Sequence, residues 1–549
     1  MEKFIVIKHK RKDHTYVSVA VSNGYGKGYS NQVGIGRLEK LMEIVSDPIS
    51  VLKKEAEKIP TTESKEKVKE ILLKSLNSQT VETKTVKYGV ETIYKVIDSM
   101  NLFSNIQKSK HKDLDKLLKY TITSRILDPT SMIGIFQNKH KFVETPDVKK
   151  TSFYGLLDYI FDKKDQLLIN LNQRIGELTN RNVNLFFFDS TTTYFESFVR
   201  DGLRYPGYSK EWKNLKKIKL WLEWRLILME YQYIFKVFKG STADCKTMIP
   251  FMLEIMSIYK IQNVTIIADK GMSINSNIRF LEQHKINYII SYRLKTSSKK
   301  FKEYVLDESD YIEKNNIKFK EMTYASLFKS KRPNGEVRKR IITFSESRAA
   351  KDREDRKTLI NNFNKRKNKD GYVNANDLTG SKKCRFFKQI GKSYYELDVE
   401  KIQQDEKYDG YYIYETNRFD LSPFEIIDIY SQQWQIEENF RTLKTALEVR
   451  PMYVWKDEHI IAHFTLCFMS LVILKYSLYL VNSTLENSGV LYEHYTNKRF
   501  IEAIVSAEYF VKYINSKEVE KTFIENEDNK KQVQDYKTIS NIVNAILYK

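Results

Sequence analysis

The sequence predicts an α/β architecture: a mixed sheet with flanking helices, interrupted by a β-rich insertion and preceded by a mainly helical region. Three observations point there. The apolar runs at 183–188 and in NVTIIADKG are too continuous for strands with one face in water, so each reads as a buried strand. After a charged stretch, WLEWRLILMEYQYIFKVFKGST reads as consecutive antiparallel strands ending in a turn at Gly240. Helical patterns in MIPFMLEIMSIY and over 275–284 alternate with the strands, and INYIISYR adds another strand.

Taken in order, residues 1 to about 35 show short β alternation (FIVIK, TYVSVAVS) and then the Gly-rich GYGKGYSNQVGIG. Helical periodicity runs from Arg37 to about Glu177, with a break at Asp128-Pro129. Within it, LLKYTITSRILDPTSMIGIF fits a helix-turn-helix or, more plainly, part of a helical bundle. Residues 1–178 are therefore expected to form an accessory, DNA-binding region, and 179–293 the first part of an α/β core. From 294 to 409, charge runs such as KTSSKKFKEY and NNFNKRKNKD sit among short strands (KRIITFS, YYELDVE) and a helix over 348–364. That segment reads as a separate, β-rich insertion.

The core resumes over 410–482 with the strand GYYIYET and a turn at Asn417. SPFEIIDIYSQQWQIEENFRTLKTALE then reads as a single helix, with Ser422 as N-cap, Pro423 at its first position and Glu425 at its third. An apolar helix from about 460 to 481 follows, and 483–549 reads as a polar helical tail.

Composition narrows the partners. A chain of 549 residues exceeds one compact core, and 41% hydrophobic content is enough to fold. The formal charge of +22, from 92 basic and 70 acidic residues, suits a polyanion, either nucleic acid or an anionic membrane face. Cys245, Cys384 and Cys467 lie far apart, which excludes a disulfide framework or zinc motif and fits a reducing cytoplasm. The apolar run at the N-terminus is too short for a signal peptide. FTLCFMSLVILKYSLYLV (464–481) approaches membrane-span length, but Lys475 and two serines interrupt it, so a buried core helix and a soluble chain are expected.

Asp189 and Asp269 each end a buried strand just before a turn. Ligands collect at strand ends of α/β sheets, although an Asp there, taken alone, is more often just the cap of a turn or helix. A third carboxylate would separate the two readings, and Glu437 is the candidate. At about 100° per residue, Ile436, Phe440, Leu443 and Leu447 form one apolar stripe. Tyr430, Gln433, Glu437, Arg441 and Lys444 cluster on the adjoining face, while Glu438 points further round into solvent. Three carboxylates at strand ends would suit hard cations such as Mg²⁺. Two ions about 4 Å apart can hold the attacking and leaving oxygens of a phosphodiester in line. Arg441 and Lys444 would then lie near DNA phosphates, or else only balance charge along a solvated helix.

Tyr430-x2-Gln433-x3-Glu437-x6-Lys444 resembles the YREK signature of DDE transposases from bacterial insertion sequences, with Gln433 where arginine is expected. FFFDSTT, KGSTADCKT (with Ser241 where Asn is usual), IIADKGMSINSN, YDGYYIYETN and RPMYVWKDEHIIAHF resemble further blocks of that family in the same order, within its long-chain group. The resemblance implies an RNase H-like core interrupted before the third acid, and Asp189, Asp269 and Glu437 as catalytic ligands of two Mg²⁺ or Mn²⁺ ions. It also implies that Tyr430 and Lys444 contact transposon-end DNA. Gln433 lacks the charge for arginine's ionic pair with phosphate, and Arg441 stands one turn beyond Glu437 as a substitute.

The implied activity is cleavage of double-stranded DNA at terminal inverted repeats and strand transfer into target DNA. A homodimer would act without a membrane, in the bacterial cytoplasm beside the nucleoid. Two alternatives are an inactive DNA-binding derivative, serving as repressor or scaffold, and an RNase H-like nuclease acting on structured RNA. Carboxylates near phosphates without bridging metals weigh against the first.

Overall fold

The computed structural model describes residues 3–547 except 12–13, 25–26, 46, 78–80, 104–112, 180–184, 196–217, 228–231, 239–241, 260–263, 315, 324–337, 375–385, 392–393, 451, 491–493 and 515–516. The expected turn at Gly240 and the position of Ser241 fall outside these residues. The chain divides into two compact units, one of Met1–Tyr94, Gln137–Thr145 and Lys498–Lys549, the other of Lys95–Phe136 and Pro146–Asn497.

The second unit is built on a nine-stranded mixed sheet. Its strands are β1 (Leu185–Phe195), β2 (Ile218–Ile227), β3 (Gln232–Phe238), β4 (Thr265–Ala268), β5 (Asn287–Ser291), β6 (Ile312–Lys314), β7 (Ile317–Thr323), β8 (Lys339–Phe344) and β9 (Tyr411–Thr416), in the spatial order β6-β7-β8-β9-β5-β4-β1-β2-β3. The central strands β1, β4 and β5 are parallel and the remaining pairings antiparallel. The principal helices of this unit are α1 (Leu114–Leu127), α2 (Lys150–Asp162), α3 (Lys164–Thr179), α4 (Met248–Tyr259), α5 (Asn275–Gln283), α6 (Glu346–Asn364), α7 (Pro423–Ser431), α8 (Trp434–Thr445) and α9 (Asp457–Asn487).

Side chains alternate between the two faces of a strand, and the central strands are covered on both. Phe186, Phe188, Ile266, Ala268, Tyr288 and Ile290 pack on one face against Phe251, Met252 and Ile255 of α4 and Ile278 and Leu281 of α5. Phe187, Ile267 and Ile289, fully buried, belong to the other face. There α8 packs on β1 and β2, and Phe468 of α9 meets Phe235 of β3 at 5.1 Å between ring centroids. Full burial of each such side chain contributes roughly 1.5–3 kcal/mol.

Helix α9 packs against α1, α2, α3 and α8. Among the described residues it is the helix long and apolar enough to cross a membrane, yet most of that stretch is buried within the protein. In α1 every residue from Tyr120 to Leu127 is buried, so this stretch of the helix is core.

Several sequence expectations change here. The insertion over 294–409 is not separate, because β6, β7 and β8 continue the main sheet through the β8–β9 pairing. Among the described residues, its own sheet is limited to Val373–Asn374, Phe387–Ile390 and Tyr394–Leu397, and α6 is its largest element. The joint is electrostatic as well as hydrogen-bonded. Arg338 forks onto Glu282 and also reaches Glu415 at 3.3 Å, while Arg340 holds the other Glu415 oxygen at 2.7 Å. Arg338, Arg340 and Glu415 are all buried. Arg340 and Glu415 face each other in the β8–β9 register, and Glu415 faces Ile290 of β5.

The helix expected over 422–448 is two helices. Ser422 and Glu425 form the expected capping box at the start of α7. Around Gln432 and Gln433, however, amides bond three residues back rather than four, as in Gln433 N–H to Tyr430 O and Ile436 N–H to Gln433 O. This tight turn separates α7 from α8.

In the first unit, a three-stranded antiparallel sheet (Phe4–Arg11, His14–Ser22, Tyr29–Arg37) packs Val17, Val19 and Val33 on Leu52, Leu72 and Leu76 of two helices. The C-terminal tail is not all helical. Glu508–Ile514 and Lys517–Phe523 form a hairpin that pairs with Val81–Lys87. Lys521 lies 4.6 and 4.7 Å from the ring centroids of Tyr88 and Tyr509. The alternation Tyr509, Val511, Tyr513 is a strand period set among charges, which the helical reading overlooked.

Replacing Glu415 by Ala leaves the buried Arg340 guanidinium without its carboxylate and removes one of the two carboxylates of Arg338. It is expected to destabilise this unit by about 3–5 kcal/mol, read as a lowered urea midpoint, whereas an unchanged midpoint would contradict the role given to the network.

Candidate functional site

The two aspartates are brought together by strand register. β1 and β4 pair in parallel from Leu185↔Thr265 to Phe188↔Ala268, so Asp189 and Asp269 are the next residue on each strand. Being one step past Phe188 and Ala268, they take the opposite face from those side chains, the face on which α8 lies. Strand β1 does not stop at Asp189 as expected but continues to Phe195 along β2; what ends there is the parallel pairing with β4. Ser190 N–H donates to Asp189 Oδ1 and Gly271 N–H to Asp269 Oδ1, each at 2.7 Å, which fixes one oxygen of each carboxylate.

Helix α8 supplies the opposite wall. Ile436, Phe440, Leu443 and Leu447 are all buried and anchor it to the core. Glu437, exposed on the adjoining face, lines a pocket of about 430 Å³ together with Asp189 and Asp269. Tyr430 and Gln433 line the same pocket, and the turn between α7 and α8 is what turns both toward it. Tyr430 is largely buried: its hydroxyl accepts from Tyr412 at 3.0 Å and its ring meets that of Tyr414 edge-on at 4.9 Å. Burial, and then the neighbouring Tyr412 hydroxyl, push the Tyr430 phenol far up, and the Asp269 charge adds in the same direction. Tyr430 therefore stays a neutral phenol.

The remaining residues expected on that face are elsewhere. Arg441 is exposed and pairs with Glu438, and both line a second cleft toward α9 rather than the pocket of the three acids. Glu438, expected to be solvated, is half-buried and also accepts from Asn497 at 3.3 Å. Lys444, two turns past Glu437, is half-buried and does not line the pocket.

Sequence reasoning missed two contributors from the segment taken as an insertion and from the strand after it. Arg348, at the start of α6, lines the pocket, and its guanidinium lies 5.3 Å from the ring centroid of Tyr412 on β9. The available signal was Ser345, which caps α6 three residues earlier and so sets where Arg348 emerges. Nothing in the linear sequence linked that helix to the distant acids on β1 and β4.

Every candidate ligand is a carboxylate oxygen, a donor set that suits a hard divalent cation and not a thiophilic one. Among the described residues, no group of three or more His, Cys, Asp or Glu side chains closes on a common point as a metal clamp. The chemistry of the acids and the in-register position of the two aspartates fit a cation, and Glu437 faces them across the pocket.

Gly271 tests the placement of Asp269. A Cβ at position 271 would lie 2.7 Å from Asp269 Oδ1, so alanine pushes the carboxylate off its amide. Gly271→Ala should leave the melting temperature nearly unchanged while lowering affinity for Mn²⁺ about tenfold, in the range seen when a ligand's supporting hydrogen bond is lost. Unchanged Mn²⁺ affinity would mean that Asp269 does not face a cation.

No curated protein matches the chain. Among solved structures, the chain is similar to one described as a cryo-EM structure of the piggyBac transposase synaptic complex with hairpin DNA. That similarity is at 8% sequence identity and a TM-score of 0.33, over 76% of this chain and 77% of that one. Residues 203–473 of this chain match the family model described as a transposase DDE domain, a segment that includes Asp269 and Glu437 but not Asp189.

Proposed function

We propose that the protein is the transposase of a bacterial insertion sequence. It cleaves double-stranded DNA at the terminal inverted repeats of its own element and transfers the freed strands into target DNA by cut-and-paste. The observation that carries the reading is that Asp189, Asp269 and Glu437, from two adjacent strands and a facing helix, line one pocket. The strand order β3-β2-β1-β4-β5, with the first two pairings antiparallel and the rest parallel, supports an RNase H-like core beneath that pocket.

The three carboxylates would hold the divalent cations, two Mg²⁺ or Mn²⁺ ions per site. Bound there, the cations would acidify a water or 3′-hydroxyl and offset charge on the departing oxygen. The chain's own contribution is positional. The amides of Ser190 and Gly271 hold Oδ1 of Asp189 and of Asp269, which sets the orientation of each carboxylate. The neutral phenol of Tyr430, locked by Tyr412 and Tyr414, gives the pocket a rigid wall without adding charge. The Gln433 amide can donate to a phosphate oxygen but adds no ionic attraction. The excess of 22 positive charges would draw duplex DNA to the protein, and a homodimer would pair the two ends of the element. The reaction would take place in the cytoplasm, beside the nucleoid.

The test uses a duplex carrying the inverted repeats that flank the gene. Full-length protein should cleave it only with Mg²⁺ or Mn²⁺, and Glu437→Gln should slow cleavage by about a hundredfold or more at an unchanged melting temperature. Normal cleavage by that variant would remove Glu437 from the site. Binding that favours structured RNA over the duplex would replace this function with RNA processing.

A further inference from the structure

We infer that Arg348 is the protein's own phosphate-binding cation in this pocket, its guanidinium contacting a phosphodiester of the DNA strand being processed. This rests on the reading of the pocket as a DNA-processing site. Among the described residues that line it, three are acids and Arg348 is the cation. Gln433 is neutral, and Arg441 is paired with Glu438 in another cleft. A phosphate entering beside three carboxylates meets repulsion, so a fixed positive group on the facing wall decides whether its oxygens can settle there.

Arg348 is built into that position. Its backbone N–H donates to Ser345 Oγ at 3.2 Å in the first turn of α6. Its guanidinium rests over Tyr412, and its Nε lies 3.3 Å from Asp352 Oδ1. The other Asp352 oxygen accepts from Gly410 N–H at 3.2 Å, where β9 begins. Gly410, with φ +83°, is hemmed in by Phe344, Ala349 and Ser345, so the start of β9 is pressed against α6. Asp352 and Tyr412 thus orient the side chain from behind. Its Nε is buried and, among the described residues, is ion-paired with Asp352 without a hydrogen bond. Guanidinium N–H groups in a fixed fork match the paired oxygens of a phosphate, which an ammonium matches only as a point charge.

The experiment measures affinity of the full-length protein for the flanking-repeat duplex across a salt series, for wild type, Arg348→Ala and Arg348→Lys. Arg348→Ala is expected to bind about tenfold more weakly and to reduce the slope of log affinity against log salt by about 0.9, one phosphate contact. Arg348→Lys should restore the slope and part of the affinity. A purely structural role would lower the melting temperature and leave the slope alone. Should the alanine variant not fold, Arg348→Gln, which keeps the stem over Tyr412, takes its place with the same expected outcome. Wild-type slope and affinity in a folded Ala or Gln variant would overturn the inference while leaving the proposed function standing. A wild-type protein that shows no salt-dependent DNA binding would overturn both.

Discussion

The parallel pairing of β1 with β4 runs in register up to Phe188↔Ala268, and the next residue on each strand is an aspartate. Everything about the candidate site depends on that alignment. A slip of one residue would turn either Asp to the opposite face, where α4 and α5 cover a dry cluster of aromatic and aliphatic side chains. The register is secured by the apolar residues before the acids, since Phe186 and Phe188 are buried on one face and Phe187 on the other. The two carboxylates are thus delivered to a shared position by hydrophobic packing.

The other walls are brought to those acids by different forces. Helix α8 is held by its apolar stripe, and the short turn before it lets Tyr430 sink against Tyr412 and Tyr414 while Glu437 stays at the surface. The wall carrying Arg348 depends on β8 and β9 remaining joined to β5, and there buried ion pairs between Arg338, Arg340, Glu282 and Glu415 act alongside the backbone ladder. Such groups are costly to bury singly and are retained only as a set, so the segment between β5 and β9 is welded to the sheet rather than appended to it.

Where local chemistry dictates structure, the sequence was legible. The buried runs at β1 and β4, the capping box at Ser422 and the stripe from Ile436 to Leu447 all carry their periodicity or cap in adjacent residues. The match to a transposase DDE domain over 203–473 likewise lies within the stretch whose motifs resembled that family. Long-range consequences were not legible. The break at Gln432 and Gln433 involves no Gly or Pro, and it is tertiary burial of Tyr430 that accompanies it. Reading a continuous helix placed Arg441 and Lys444 beside Glu437, although neither lines the pocket. Arg348 was invisible because a charge-rich helix between strands reads as solvated until Gly410 and Tyr412 bring it to the acids.

The central claim is that Asp189, Asp269 and Glu437 act as one cation site although three separate elements carry them. Electron paramagnetic resonance of Mn²⁺ added to the full-length protein, compared with Asp189→Asn, Asp269→Asn and Glu437→Gln, measures it most directly. The account predicts that wild type binds Mn²⁺ and that each single variant weakens binding by about tenfold or more. Undiminished Mn²⁺ binding in the Glu437→Gln variant, with the aspartates intact, would contradict it.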